Sequence, residues 1–350
     1  MEFHWKKDVL MYIIFGCDEI GNALARNLSK AGDETLIIDN SETVFVGLKE
    51  PNLRTIITNI HTLDFSSLPM KDTLAFKKKK KTSQDNLMIA NRIKKLFPDK
   101  FVLSRATDEI EAAELLENGV DRTVQIARIV THAILDELET AKLKTSVFHL
   151  VSVIQEAAGK GLAIFLQDNP DPDAIASGCA LKRIAEKYHI KSTIYYGGNI
   201  GRQQNKILVD LLETDLIQLK TADEAMEIAH AADKVALIEA SIPSKNNILP
   251  LQITPHIVID HHETDFSLVK GEFIEILPKI GATSTILTRY LRHLDIVPDP
   301  PLATALRYGI RVDTGGFTRN TTMEDLDAAA YLSPLLDAGL LNQIENPPMS

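Results

Sequence analysis

The sequence predicts an α/β protein of two tandem domains, each a mainly parallel sheet covered by helices. From Met11 onward, short apolar runs alternate with segments of helical period, the pattern of repeated strand, helix and strand. That alternation lapses once, between residues 140 and 161, and then begins again. A chain of 350 residues also exceeds one ordinary domain and suffices for two, each with its own core.

In the first half MYIIFG, ETLIID, LRTIIT, DTLAF, KFVLS and TVQIAR are the strand candidates, rich in β-branched and aliphatic residues. Ile20, Leu24 and Leu28 recur at helical spacing between the first two, and Asn86 to Leu96 repeats that pattern farther on. TAKLKTSVFHLVSVIQEAAGKG reads as a connecting helical segment, which places one domain at 11–142 and the next at 145–350. GLAIFL, STIYY, LIQLK, KVALIE, HIVID and FIEIL are the strands of the second, with ATSTILTRYLRHL and ATALRYGI as helices. Lys77 to Lys81 conflict with this plan, because they continue a strand and adjacent like charges repel inside a buried sheet. A solvated loop is expected there, with a phosphate-binding patch or a sequence error in an A-rich codon run as the alternatives. Residues 1–10 precede the first strand as an upstream extension without readable chemistry.

With 45% hydrophobic and 25% charged residues the chain is globular rather than disordered. Its net charge of -10 provides no global positive field for long nucleic acids or anionic membranes, so a nucleic-acid substrate is expected to be short. No apolar run reaches the roughly 18 to 20 residues of a spanning helix, and the N-terminus lacks the plan of a signal peptide, so a cytoplasmic protein without membrane insertion is expected. Cys17 and Cys179 fall in separate domains and offer neither a disulfide framework nor a thiolate metal site.

Gly16-Cys17-Asp18-Glu19-Ile20-Gly21 follows the first strand, and Asp39 ends the second, which nearly reproduces the dinucleotide-binding plan. Gly16 permits the tight turn, Gly21 permits close packing, and Asp39 is placed to accept hydrogen bonds from ribose hydroxyls. Asp18 stands where that plan has its middle glycine, and a carboxylate there repels a phosphate approaching the helix N-terminus. Ligand-free structural use of this Rossmann-like scaffold and binding of an adenine nucleotide both remain open. Residues 11–142 resemble the TrkA-N family, the N-terminal domains of regulators of potassium conductance, and the resemblance implies sensing of NAD(H) or adenine nucleotides.

In the second domain GLAIFL runs into Gln167-Asp168-Asn169-Pro170-Asp171-Pro172-Asp173, HIVID ends in Asp260-His261-His262, and ALRYGIRVD delivers Asp313. Open α/β sheets place ligands at the carboxyl ends of their strands, so these segments can bring oxygen and imidazole donors to one edge. Asp-Pro-Asp alone is a common turn or helix cap, and adjacent histidines are common on surfaces. Their joint occurrence after separate apolar strands points instead to a hard divalent cation, Mn²⁺ in preference to Mg²⁺ because imidazole is present. Two such ions, about 3.5 to 4 Å apart, would activate water for in-line hydrolysis of a phosphate ester.

Residues 160–345 resemble the DHH phosphoesterase superfamily in Asn169-Pro170-Asp171-x-Asp173-Ala174, Asp260-His261-His262, Asp313-Thr314 and the small-residue segment Gly281 to Thr285. The resemblance implies Asp171 as ligand of a first metal, Asp173, His261 and Asp313 as ligands of a second, and Glu239 as the bridging acid. It further implies that Asp260 orients the site and His262 contacts the substrate phosphate. Ser177 reads as packing, since no general base accompanies it. Gln167 stands where the family usually has histidine, and Glu239 where it has aspartate, so a weakened first metal site beside an intact second is expected. A C-terminal substrate-binding domain with a GGGH segment is also expected to be absent, because the sequence stops soon after NQIENPPMS.

The leading functional expectation is a metal-dependent phosphodiesterase acting on short oligonucleotides or on cyclic or linear dinucleotides. The alternative is a nucleotide-responsive regulatory or binding protein with a degraded phosphoesterase site, linked to potassium transport through its N-terminal resemblance. Either reading leaves a homodimer open.

Overall fold

Backbone hydrogen bonding in a parallel sheet needs a crossover between neighbouring strands, and the alternating sequence supplies one each time. The computed structural model describes residues 11–69, 73–77 and 83–347, and the chain divides into two compact units, Met1–Leu138 and Glu139–Ser350.

The first unit contains β1 (Met11–Phe15), α1 (Glu19–Lys30), β2 (Glu34–Asp39), β3 (Leu53–Ile57), β4 (Thr73–Lys77), α2 (Ser83–Leu96), β5 (Val102–Ala106), α3 (Glu109–Glu117) and β6 (Arg122–Gln125). The strands form one parallel sheet in the order β3-β2-β1-β4-β5-β6, the doubly wound order of dinucleotide-binding folds. Gly16 turns the chain at φ 106°, and a Cβ on Gly21 would lie 2.1 Å from the Gly16 carbonyl oxygen. The fold itself requires this close approach of the two glycines.

Three sequence expectations meet the structure differently here. TVQIAR is a strand only as far as Gln125, and α4 (Ile126–Gln155) begins at once, earlier than the connecting segment read from residue 140. The β-branched residues Ile126, Ile129 and Val130 resemble strand material, but they recur at helical spacing. Lys77 is the last residue of β4, paired with Phe15 and Ser104, and not the start of a loop. Lys78 to Lys81 and residues 1–10 lie outside the described residues.

The second unit continues with β7 (Leu162–Leu166), α5 (Pro172–Lys187), β8 (Ser192–Tyr196), α6 (Gln203–Leu212), β9 (Leu216–Gln218), α7 (Ala222–Ala231), β10 (Lys234–Ile238), β11 (Ile257–Asp260) and β12 (Phe273–Ile276). The helices α8 (Thr283–His293), α9 (Pro300–Asp313), α10 (Met323–Leu332) and α11 (Ala338–Glu345) complete it. All six strands are parallel, in the order β12-β11-β10-β7-β8-β9. The central strands LAIFL, KVALI and IVID are buried at every position, as strands covered on both faces must be. Lys234 enters this interior with its ammonium 2.7 Å from Glu156 and 2.6 Å from Glu272.

The chain winds to one side from β7 through β8 to β9 and to the other from β10 through β11 to β12. The loops leaving β7 and β10 therefore diverge, and a crevice opens between the carboxyl ends of these two neighbours. Helices α5, α8 and α9 pack together below it, and Gly309 on α9 makes that approach possible. A Cβ there would lie 2.7 Å from Ser284 Oγ and 3.1 Å from Asp173 Cα. Gly309→Ala is expected to destabilise the chain by about 1 to 3 kcal/mol through overpacking, read as a lowered midpoint in urea with an unchanged slope. An unaltered midpoint would show that the three helices can separate freely.

Candidate metal centre

Asp171 is the N-cap of α5: its side chain accepts from the Ala174 N–H at 3.0 Å, and Pro172 supplies the fixed φ favoured at the next position. That turn carries Asp173 inward, where it is fully buried. Its two carboxylate oxygens accept the backbone N–H groups of Thr283 and Ser284, each at 2.7 Å. Helix α8 has no side-chain cap of its own at Ala282, so a carboxylate from a distant segment caps it and meets the positive end of its dipole. Ser177 is buried between Asp173 and Ser284.

Glu239 follows β10 at φ +61°, a left-handed conformation strained for a residue with a side chain, and its carboxylate is almost completely buried. Asp260 ends β11, and the two histidines after it diverge. His261 Nδ1 lies 3.1 Å from the Ile280 carbonyl oxygen, which can only accept, so Nδ1 carries a proton and Nε2 is the nitrogen turned toward the acids. His262 is turned the other way, with its Nδ1 2.8 Å and its backbone N–H 3.0 Å from Asp260 Oδ1. Asp313, the last residue of α9, comes in from the helical side.

His261 Nε2 lies 3.0 Å from Glu239, 3.1 Å from Asp313 and 4.0 Å from Asp173. Single donor atoms of Asp173, Glu239, His261 and Asp313 all fall within 4.8 Å of one another, and Glu239, His261 and His262 form a second such group. Both Glu239 oxygens and His261 Nε2 are buried without a hydrogen-bond partner among the described residues. Buried acids that converge on one imidazole nitrogen fit a divalent cation in both charge and donor type. Burial and the charges of Glu239 and Asp313 push the Asp173 carboxyl upward and that of Asp171 to about 6. Burial alone would lower His261, but Asp313, Glu239 and Asp173 carry it up to about 12.

Gln167 and Asp171 stand beside this group. The Gln167 Oε1 accepts from Asn246 Nδ2 at 3.0 Å. Neither joins the converging donors among the described residues. Asn246 and Asp325 were not singled out from the sequence. Asp325 is fully buried and accepts from Gly281 N–H at 3.0 Å, Thr285 Oγ1 at 2.6 Å and Thr322 N–H at 2.8 Å, holding the loop before α8. Its reciprocal cap with Thr322 was legible as a Thr-x-x-Asp start signal. Asn246 had no comparable signal.

Two cavities flank the centre. One of about 120 Å³ is lined by Gln167, Glu239, Lys245, Asn246, Asp260 and His262. The other, of about 510 Å³, is bounded by Asp171 and Asp313 and includes Asn169, Asn199, Arg202 and Arg319.

In the first unit, Asp39 is buried and accepts from Cys17 N–H at 2.9 Å and Ser41 N–H at 3.1 Å. Together with Gly16 it borders a cavity of about 60 Å³ that also includes Ile38, Thr58, Ile60 and His61. Gly21 does not border it; its N–H donates to Asp18 at 2.9 Å, so α1 is capped by its own carboxylate, with Arg105 3.7 Å away. Cys17 and Cys179 are both buried, and neither is in a disulfide.

Residues 12–126 match the TrkA-N domain. The chain is 38% identical over 280 residues to an uncharacterized protein of Methanocaldococcus jannaschii, covering 76% of this chain and 56% of that one. It is 29% identical over 179 residues to a probable manganese-dependent inorganic pyrophosphatase of Deinococcus radiodurans, covering 50% and 54% of the two chains. It is 25% identical over 175 residues to the cyclic-di-AMP phosphodiesterase GdpP of Bacillus subtilis, covering 47% and 26%. The chain thus spans little more than half, or less, of the length of the curated relatives it matches. It carries an N-terminal TrkA-N domain and is distantly homologous to DHH-family manganese-dependent pyrophosphatases and cyclic-di-AMP phosphodiesterases. No helix among the described residues is long and apolar enough to cross a membrane.

A cation at His261 must displace the proton that the surrounding acids hold there. Calorimetry in buffers of different ionisation enthalpy is expected to show net proton release on Mn²⁺ binding, with apparent affinity falling about tenfold per unit as pH is lowered. Affinity independent of pH between 6 and 8 would exclude His261 as a ligand.

Proposed function

We propose that the second unit is a divalent-cation-dependent phosphoesterase, with Mn²⁺ as the favoured ion and a short oligonucleotide or a linear or cyclic dinucleotide as substrate. The observation that carries this reading is the convergence of Asp173, Glu239, His261 and Asp313 in the crevice between β7 and β10. These four side chains would hold the ion. When bound, such an ion lowers the pKa of a coordinated water and offsets negative charge on a phosphate.

Other steps fall to the chain's own groups. Asp260 holds the His262 ring by Nδ1 and leaves Nε2 for a phosphate oxygen. Arg202 and Arg319 border the larger cavity and give a further phosphate of the substrate a cationic counterpart in a site otherwise rich in carboxylates. Asp173 stays fixed by two backbone N–H groups and so keeps its place as substrate enters. Distant homology to a pyrophosphatase and to cyclic-di-AMP phosphodiesterases supports hydrolysis at phosphorus and favours nucleotide substrates of small size.

The test is the initial rate of hydrolysis of a linear dinucleotide across a Mn²⁺ titration, with His261→Ala as the blank. A rate that saturates with Mn²⁺ is expected, reduced about 10- to 100-fold in Asp260→Ala, whose substitution leaves the ligands in place but loosens His262. A rate equal to that of the blank at every concentration, on linear and cyclic dinucleotides alike, would sink the proposal.

A second reading concerns the first unit and has its own observation, the cavity beside Gly16 and Asp39. Asp39 can accept from ribose hydroxyls, while Asp18 already occupies the N-terminus of α1. Binding of AMP is therefore favoured over NAD(H), whose pyrophosphate would have to displace Asp18. Titration calorimetry should give a measurable affinity for AMP that Asp39→Ala abolishes; tighter binding of NAD⁺ than of AMP would refute this ordering.

A further inference from the structure

We infer that the centre holds one divalent cation per chain, and that the amide pair of Gln167 and Asn246 takes the place where a second ion would need a ligand. The inference rests on the cation-dependent reading above and goes further, to the number of ions and the residues that set it.

Four donors converge, the group of Glu239, His261 and His262 shares two of them, and Asp171 belongs to neither group. Its carboxylate is already engaged in capping α5, where it accepts the Ala174 N–H at 3.0 Å. The atom of Gln167 able to ligate a metal is Oε1, and it accepts from Asn246 Nδ2 at 3.0 Å. The amide oxygen is thus already turned to a donor on the loop after β10.

For Gln167 to ligate an ion, its oxygen would have to give up the bond to Asn246. What it would then offer is a neutral oxygen, a poorer partner for Mn²⁺ than imidazole. Asn246 does not yield easily either. It sits at φ +57°, a conformation asparagine tolerates, and its carbonyl accepts from the Asp168 N–H at 2.8 Å. The loop after β10 is in this way tied by backbone and side chain to the loop after β7.

Glu239, which could bridge two ions, has its Oε1 3.0 Å from His261 and belongs to the converging four. A single ion cannot clamp both the attacking and the leaving oxygen of a phosphate. The balance of positive charge on the substrate then rests on His262 and the arginines of the larger cavity.

The experiment is Mn²⁺ titration of the full chain, followed by calorimetry and electron paramagnetic resonance, on the unaltered protein and on Gln167→His. Expected are one equivalent and the resolved hyperfine pattern of an isolated ion in the unaltered chain. Gln167→His is expected to take up a second equivalent and show the broadened spectrum of an exchange-coupled pair. Two equivalents with a coupled spectrum in the unaltered chain would overturn the inference while leaving the phosphoesterase reading intact. No bound Mn²⁺ at all would overturn both. One equivalent in the unaltered chain and in correctly folded Gln167→His would overturn the role given to Gln167. The first measurement requires no variant, so a substitution that misfolds cannot shield the inference.

Discussion

The paired hydrogen bonds from Thr283 and Ser284 to Asp173 are the interaction on which the rest of the second unit depends. They join α5 to the N-terminus of α8 and satisfy helix donors that would otherwise be buried unmet. They also fix one oxygen-bearing ligand before any ion arrives. A buried carboxylate without such donors would protonate or withdraw. The small residues around it follow from the same constraint, since Gly309 and Ser284 leave only enough room for α9 to lie against the turn. Asp325 repeats the device one layer out, accepting from Gly281, Thr285 and Thr322 and so holding the loop that presents the two N–H groups.

Charge explains why this geometry is one-sided. Asp171, Asp173, Glu239, Asp260 and Asp313 gather around two histidines; burial and neighbouring charges raise the carboxyls of Asp171 and Asp173, and the acids raise both imidazoles. A divalent cation resolves that conflict more completely than a proton on His261 can. The strained backbone of Glu239 belongs to the same picture, because a left-handed residue at the end of β10 aims its carboxylate across the crevice.

The first unit shows a related principle with the opposite result. A helix N-terminus behind a glycine turn attracts an anion, and here the chain provides one in Asp18, faced by Arg105. The fold needs Gly16 and Gly21 for their close approach whether or not a nucleotide binds. The pocket at Asp39 is a separate feature, formed by the ends of neighbouring strands.

Periodicity in the sequence determined the α/β class, both six-stranded sheets and the strand ends that carry the acids, because burial on both faces leaves uninterrupted apolar runs. Residue chemistry determined that Asp173, His261 and Asp313 suit a hard cation. The start of α4 at Ile126 was misread because β-branched residues serve strands and helices alike over a few positions. Tertiary structure alone decided that Asp171 stays outside the converging donors, that Gln167 is turned toward Asn246, and that Asp173 caps a helix from another part of the chain. Those outcomes depend on distances between segments far apart in sequence. Local propensity carries no information about them, whereas strand order, helix packing and the direction of each loop fix them.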